Sequence, residues 1–128
     1  EIIEETDFAA SLGIDLSKMT RTATGLYIEE IEVGTGRTAG AGDVATVSYT
    51  GLLSNAATFD AGTFSFTLGS GGVIPGFDEG VTGMRVGGTR RIVIPPELGY
   101  GNSGSGSIPP GSILIFRIHL DALDSDLF

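Results

Sequence analysis

The segment from residue 72 to residue 84 constrains the fold most, because it predicts the main helix of a chain whose other segments favour strands. Pro75 suits the first helical turn, where its missing N–H removes no hydrogen bond. Asp78 and Glu79 lie near the positive end of the helix dipole. Three apolar side chains then share one helical face at i, i+4 and i+7: Phe77, Val81 and Met84. This helix is therefore expected to lie across a sheet and close its core.

Two aliphatic residues, Val73 and Ile74, lie just before this helix in a glycine-rich approach. Together with Phe77 they place two aliphatic groups and one aromatic ring at the start of a helix. Such residues fill the core of many domains, and they also suit the floor of a binding pocket. The residues alone leave both interpretations open.

Alternating apolar and polar residues predict about five antiparallel strands around the helix. The predicted extended segments are residues 26–33, 44–52, 58–60, 64–68, 89–94 and 112–123. A turn is expected at Ala61 and Gly62. In the last segment Phe116 and Ile118 face one way, and His119 faces the other. Since strands and helices do not alternate, the pattern favours an α+β fold with one sheet wrapped over a short central helix.

Composition excludes several classes of function. The formal net charge of −9 argues against nucleic acids and anionic membranes as partners, because both require basic protein surfaces. The chain has no cysteine and one histidine, so we expect no metal site, no cofactor and no cysteine nucleophile. No apolar run approaches the roughly 18 residues that predict a membrane span, so no membrane insertion is expected. The length of 128 residues suits one folded domain.

The first 24 residues form a separate stretch that is too apolar for a free linker. Ile3, Phe8 and Leu12 are among its apolar residues. We expect this N-terminal extension, residues 1–24, to pack on the domain of residues 25–128 or on another subunit. A monomer is favoured for the oligomeric state. Because the sequence starts at Glu1 and not at Met, a processed or trimmed form is also expected.

Aromatic residues are placed more regularly than residues suited to acid–base chemistry. They come from predicted strands, the helix and a loop: Tyr49, Phe59, Phe64, Phe66, Phe77, Tyr100 and Phe116. Asp60 directly follows Phe59, and Tyr100 opens a loop rich in glycine and serine, so these are poor positions for a core. An apolar pocket with a few placed polar groups is the usual form of a site for a small ligand. His119 is interpreted as a solvated residue of the sheet.

The sequence resembles the FKBP-type peptidyl-prolyl cis/trans isomerases over about residues 25 to 124. An ordered series of motifs carries the resemblance: Val47-Ser-Tyr49-Thr-Gly51, Phe59-Asp60, Phe64-Ser-Phe66-Thr-Leu68-Gly69, Val73-Ile74-Pro-Gly76-Phe77, Gly80-Val81, Met84-Arg-Val-Gly87, Arg91-Ile-Val-Ile94-Pro95, Gly99-Tyr100-Gly101 and Ile108-Pro109-Pro110. The resemblance implies a curved antiparallel sheet around one short helix. It also implies catalysis of the isomerisation of X–Pro bonds during protein folding.

The resemblance further implies a hydrophobic pocket for proline with Phe77 at its floor. The residues expected to carry catalysis are Tyr49, Asp60, Tyr100 and Phe116. Those expected to bind substrate are Phe59, Phe64, Val73, Ile74, Phe77 and Ile108. In such proteins the backbone N–H at the Ile74 position and the hydroxyl at the Tyr100 position commonly bind ligand carbonyls. Proline-containing polypeptide segments are the expected partners, and macrolides the expected inhibitors.

Three departures from the family pattern affect this pocket. The segment between Asp60 and Phe64, residues 61–63, is several residues shorter than in many members. The basic residue that often pairs with the pocket aspartate has no match in this sequence. Asp60 is therefore expected to pair with Tyr49 or water. The loop after Tyr100 is also short and rich in serine. Phe77 stands where many members have Trp.

Two functions follow from the resemblance. The first is a prolyl isomerase that needs no covalent chemistry and no metal. The alternative is a non-catalytic module that binds a peptide or protein in the same cleft. Because residues 1–24 resemble the leaders of exported bacterial members, a periplasmic or envelope location is expected.

Overall fold

A computed structural model describes residues 2–123 and shows a six-stranded antiparallel sheet crossed by one α-helix. The strands are β1 (Thr20–Arg21), β2 (Tyr27–Glu32), β3 (Val44–Leu53), β4 (Thr58–Thr67), β5 (Thr89–Ile94) and β6 (Leu114–Leu123). Their order in the sheet is β1-β2-β5-β6-β3-β4. The helix α1 is Pro75–Val81, and 3₁₀ turns occur at Ile3–Glu5, Ala10–Leu12, Leu16–Lys18 and Pro96–Leu98. The predicted α+β class is confirmed, with six strands where about five were expected.

Two differences in the strands have a common cause, which is pairing with a neighbouring strand that the pattern within one segment does not reveal. The sixth strand is β1, where Thr20 and Arg21 pair with the start of β2. The turn predicted at Ala61 and Gly62 was wrong, because both residues belong to an uninterrupted β4. They pair with Thr50 and Tyr49 of β3, and neither has the positive φ that a glycine turn requires.

The helix begins at Pro75, as predicted, and lies against β5. Phe77 and Val81 are buried, so this part of the predicted apolar stripe does face the core. The helix ends at Val81, so Met84 is buried from the segment that follows it and not from the helix. Two glycines allow the helix to approach the sheet closely. A Cβ atom at Gly76 would lie 2.6 Å from Cγ2 of Ile94. One at Gly80 would lie 2.6 Å from Cδ1 of Ile92.

Both faces of the sheet carry apolar clusters. The main core lies between the sheet and α1 and includes Phe77, Ile92 and Phe116. A second cluster covers the opposite face, where Ile3 and Leu12 of the N-terminal extension pack with residues of the sheet and its loops: Tyr27, Val93, Ile113 and Ile115. This second cluster explains why Ile115 is buried although it points away from the main core.

Hydrogen bonds also fasten the N-terminal extension to the sheet. The Arg91 guanidinium donates to the carbonyl oxygens of Leu12 at 2.5 Å and of Gly13 at 3.1 Å. The Tyr27 hydroxyl donates to Glu4 Oε2 at 2.6 Å. This bond is the largest of the effects that hold the pKa of Glu4 below its ordinary value. The division into an extension and a domain at residue 25 stays a prediction.

Candidate functional site

A cavity of about 180 Å³ opens between the sheet, the start of α1 and the loop after β5. Its lining consists of aromatic and aliphatic side chains with one carboxylate: Tyr49, Asp60, Phe64, Gly72, Val73, Ile74, Phe77, Tyr100 and Phe116. Three strands, the helix and two loops contribute residues. The cavity therefore forms only when the complete sheet has closed over the helix.

The rings at this cavity pack mostly edge to face around Phe77, which is 3% exposed. Its ring centroid lies 5.0 Å from that of Phe116, 5.7 Å from that of Phe64 and 5.8 Å from that of Tyr49. Phe116 and Tyr49 meet Phe77 edge to face, and Phe64 is tilted against it. Such spacings and angles favour rigid aromatic packing. The floor of the cavity is therefore well defined before any ligand arrives.

Gly51 of β3 leaves space for a second layer of aromatic packing, in which the Phe59 ring lies behind that of Phe116. The rings of Phe59 and Phe116 meet edge to face at 5.4 Å over this glycine. A Cβ atom at Gly51 would lie 2.6 Å from the Phe59 ring and 2.8 Å from the Phe116 ring. Sequence reasoning placed Gly51 in a motif and gave it no role, since a glycine shows no signal of what approaches it. The structure shows that its missing side chain makes room for both rings.

The one carboxylate at the cavity is held by two hydrogen bonds. Tyr49 Oη donates to Asp60 Oδ2 at 2.7 Å, and the Ala61 N–H donates to Asp60 Oδ1 at 2.9 Å. Tyr49 and Asp60 are diagonal neighbours across β3 and β4, because Tyr49 pairs with Gly62. The expected pairing of Asp60 with Tyr49 is thus present.

The surroundings of Tyr49 favour its neutral, hydrogen-donating form. Burial raises the pKa of Tyr49 to about 12, with further contributions from the hydrogen bond to Asp60, the Asp60 charge and Tyr100. The phenol therefore stays protonated at neutral pH. It can donate to the carboxylate without competing ionisation.

Two polar hydrogens at the cavity remain available for a ligand. The Ile74 N–H donates to no acceptor among residues 2–123, whereas the Ile74 carbonyl accepts from Phe77 and Asp78 at the start of α1. The Tyr100 hydroxyl likewise has no hydrogen-bonding partner within the described part of the chain, and Tyr100 is 38% exposed. A carbonyl-bearing ligand would find one backbone donor and one hydroxyl donor beside an apolar floor.

The structure brings together eight of the ten residues predicted for the site: Tyr49, Asp60, Phe64, Val73, Ile74, Phe77, Tyr100 and Phe116. Phe59 lies one layer behind, against Phe116. Ile108 is 7% exposed, belongs to the main core and does not line the cavity. Gly72 lines the cavity and was not predicted. The functional roles of these residues stay predictions.

The residues that the structure describes show no metal site, and the histidine lies outside the cavity. Within residues 2–123, no three His, Cys, Asp or Glu side chains are grouped so that they could hold a metal ion. His119 lies away from the cavity, with its Nδ1 atom 2.6 Å from Asp121 Oδ1. No helix of the described chain is long and apolar enough to cross a membrane.

Fold and site together define a class of protein: a small α+β domain with a curved antiparallel sheet, one helix and an aromatic pocket between them. A family model described as "FKBP-type peptidyl-prolyl cis-trans isomerase" matches residues 35–121. The chain therefore belongs to the FKBP-type peptidyl-prolyl cis-trans isomerase family.

Curated relatives come from fungi, plants and bacteria. FK506-binding protein 3 of Candida albicans is 47% identical over 103 residues, which cover 77% of this chain and 24% of the relative. Peptidyl-prolyl cis-trans isomerase FKBP15-3 of Arabidopsis thaliana is 42% identical over 124 residues, with 91% and 87% covered. FK506-binding protein of Neisseria meningitidis is 46% identical over 102 residues, with 75% and 94% covered. The chain thus spans about a quarter of some relatives and most of others.

Solved structures agree with this assignment. The crystal structure of AtFKBP13 superposes with a TM-score of 0.76 at 34% identity, covering 81% of this chain and 97% of that one. The family fold expected from the sequence motifs is therefore confirmed.

Proposed function

We propose that this protein catalyses the cis/trans isomerisation of X–Pro bonds in flexible polypeptide segments and thereby assists protein folding. The observation that carries the proposal is the preformed aromatic cavity, where the Ile74 N–H and the Tyr100 hydroxyl have no hydrogen-bonding partner within residues 2–123. The family assignment supports the same reaction.

The physics of the reaction fits this site, because amide rotation needs no proton transfer and no covalent intermediate. An amide rotates over a barrier of about 18–20 kcal/mol, because its C–N bond has partial double-bond character. The twisted amide loses this resonance, and its carbonyl becomes less polar. An apolar cavity that excludes water therefore favours the twisted state over the planar one. Each ~1.4 kcal/mol of such preference accelerates isomerisation about tenfold.

Within this proposal, each group of cavity residues has its own role in binding the substrate or in promoting rotation of the amide. Phe77, Phe64 and Phe116 surround the prolyl ring, and the Ile74 N–H binds a carbonyl of the substrate and so fixes its position. The Tyr49 hydroxyl holds the Asp60 carboxylate at the edge of the cavity. Asp60 offers a carboxylate to the twisting amide.

A protease-free NMR exchange assay on a short X–Pro peptide tests the proposal. The native protein is expected to accelerate exchange. Phe116→Leu is expected to reduce kcat/KM by about tenfold or more, because the edge-to-face contacts and the shape of the cavity are lost while apolar volume is largely kept. This variant is preferred to Phe116→Ala, whose cavity in the core would cost about 3–5 kcal/mol of stability.

Two outcomes would contradict parts of the proposal. No acceleration by the native protein, with peptide binding retained, would identify a non-catalytic binding module. Full activity of Asp60→Ala would remove the proposed role of that carboxylate. Circular dichroism of each variant controls for folding.

We also propose a ligand and a cellular location. We propose that the cavity also binds macrolides of the FK506 type, because relatives carry the name FK506-binding protein. Inhibition of the isomerisation assay by FK506 would support this, and no inhibition at saturating ligand would oppose it.

A periplasmic or envelope location rests on the resemblance of residues 1–24 to the leaders of exported members. Recovery from source cells in the cytosolic fraction alone would oppose this location.

A further inference from the structure

The free edge of β4 is a second feature of the molecule that lies directly beside the cavity. In the part of the chain that the structure describes, β4 is the last strand of the sheet and pairs with β3 alone. Two of its residues, Asp60 and Phe64, line the cavity. A polypeptide bound in the cavity would therefore pass close to a strand with unpaired backbone groups.

The register shows which residues present those groups. The Leu68 N–H donates to the Asp43 carbonyl, one pair beyond the ladder in which Val44 pairs with Thr67. Because bonded and non-bonded pairs alternate in an antiparallel ladder, the even-numbered residues from 60 to 66 bond to β3. The odd-numbered residues of β4 then direct their N–H and C=O groups away from the sheet.

Both ends of this edge are closed by side chains, and its middle is open. Asp60 accepts from the Ala61 N–H, and the Ser70 hydroxyl donates to the Thr67 carbonyl at 2.8 Å. Between them, the outward backbone groups of Thr63 and Ser65 have no hydrogen-bonding partner within residues 2–123. Both residues are exposed. The open part of the edge therefore spans residues 63–65 and includes Phe64, whose side chain forms the cavity wall.

The opposite edge of the sheet shows how such an edge can be protected. There β1 covers only the first residues of β2, and the rest of β2 carries Glu29, Glu30 and Glu32. Charged side chains discourage another strand from pairing with an edge. Residues 61–67 of β4 contain neither charge nor proline. The β4 edge therefore lacks the charged and proline residues that usually prevent strand addition.

We infer that the edge at Thr63 and Ser65 binds the extended segment of substrate that flanks the proline, by β-strand addition. This inference rests on the proposed isomerase function and names its substrate class, which is an extended polypeptide longer than the X–Pro unit. The residue before a proline is biased toward extended backbone, so a chain with its proline in the cavity is already shaped for pairing. Successive residues advance about 3.3 Å along a strand, so a few flanking residues can reach the edge.

The test compares a tetrapeptide and a ten-residue peptide that share one X–Pro centre, in a protease-free NMR exchange assay. The native protein is expected to show a higher kcat/KM for the longer peptide. Ser65→Pro removes the outward N–H and is expected to lower kcat/KM for the longer peptide about tenfold, a loss equivalent to one or two net hydrogen bonds. The value for the tetrapeptide should change less than twofold.

Two controls keep the test decisive. Ser65→Ala loses the hydroxyl that contacts Thr46 Oγ1 at 2.7 Å but keeps the N–H, so it should behave like the native protein. If Ser65→Pro does not fold, longer peptides N-methylated at single flanking residues provide the equivalent change on the native protein. At least one such methyl group should abolish the advantage of length.

Three results of the exchange assay would overturn the inference while leaving the isomerase proposal intact. These are equal kcat/KM for both peptides with the native protein, equal losses for both peptides with Ser65→Pro, and no effect of any N-methyl group. A native dimer in sedimentation that Ser65→Pro converts to monomer would also overturn it, because a second copy would then occupy the edge. Failure of the native protein on both peptides would instead contradict the isomerase function itself.

Discussion

At the scale of single residues, Tyr49 connects the chemistry of the cavity to its packing. Its ring contacts Phe64, Phe77 and Phe116, and its hydroxyl fixes Asp60. A phenylalanine at this position would keep the rings together and release the carboxylate. Tyr49→Phe therefore separates the two contributions of one side chain.

The raised pKa of Tyr49 predicts how stability depends on alkaline pH. Burial and Asp60 raise this pKa from its ordinary value of 10.0 to about 12 in the folded state. A group whose pKa is raised by folding contributes its full stabilisation below its unfolded pKa and loses it as pH rises through the folded value. The free energy of unfolding should therefore fall between about pH 10 and pH 12, and it should fall less steeply in Tyr49→Phe.

Urea unfolding followed by circular dichroism at several pH values between about 8 and 12 measures this difference. Tyr27, whose pKa is raised mainly by its hydrogen bond to Glu4, contributes in the same direction in both proteins. Its effect therefore cancels in the comparison. Parallel slopes for the native protein and Tyr49→Phe would show that Tyr49 ionises normally.

At the scale of elements, the distance between α1 and β5 positions the floor of the cavity. Gly76 and Gly80 are one helical turn apart and face the fully buried Ile94 and Ile92. Because Phe77 follows Gly76 directly, a change in helix position would move the central ring of the cavity. Two residues without side chains thus set the position of an aromatic one.

Gly76→Ala is expected to lower the free energy of unfolding by about 1–3 kcal/mol, as overpacking of a core does. The added Cβ atom would meet three Ile94 atoms at 2.6 to 3.0 Å, including Cγ2 on the branched carbon. Gly80→Ala should cost less, because its nearest neighbour is the terminal Cδ1 of Ile92, which can rotate away. The higher helix propensity of alanine, up to about 1 kcal/mol, offsets part of both losses.

Thermal and urea unfolding of both variants check this order of stability. The isomerisation assay on each folded variant then reports whether the floor has moved. Equal stability of Gly76→Ala and the native protein would mean that the helix shifts without cost.

At the scale of the whole molecule, the sheet separates a cavity face from a face covered by the N-terminal extension. Phe116 and Ile115 are neighbours in β6, yet one contacts the cavity rings and the other packs in the second cluster. The extension buries apolar groups that would otherwise face water. It therefore serves stability, and the cavity does not depend on contact with it.

Leu12→Ala should separate these two roles. Leu12 is 9% exposed and lies in the second cluster, so its truncation is expected to cost about 2 kcal/mol of stability, the low end for a buried leucine. Ile2→Ala is the matched control in the same extension, because Ile2 is 55% exposed and its truncation should change stability little. Thermal unfolding measures both variants. Neither should change kcat/KM on a short X–Pro peptide, and a tenfold loss in Leu12→Ala alone would show that the extension supports the cavity directly.

Local patterns in the sequence were enough to predict the helix, the faces of the last strand and the family. Pro75 and the spacing of Phe77 and Val81 predicted the helix and its buried face, whereas Met84, expected on the same face, lies beyond the last helical residue. The alternation in β6 predicted which residues face the core, because side chains alternate between the two faces of any strand. The ordered motifs indicated the family and eight of the residues at the cavity. These signals lie within a few residues of one another.

Features that arise where separate segments meet are visible in the folded structure and not in the pattern of either segment. Ala61 and Gly62 resemble a turn locally, yet their pairing with Thr50 and Tyr49 extends β4 into a ten-residue strand. Ile108 belongs to the core because other segments surround it, and Gly51 matters because two rings meet over it. Close approach between segments far apart in sequence leaves no periodic pattern in either segment. The cavity wall at Phe64 and the open edge beside it both follow from that pairing.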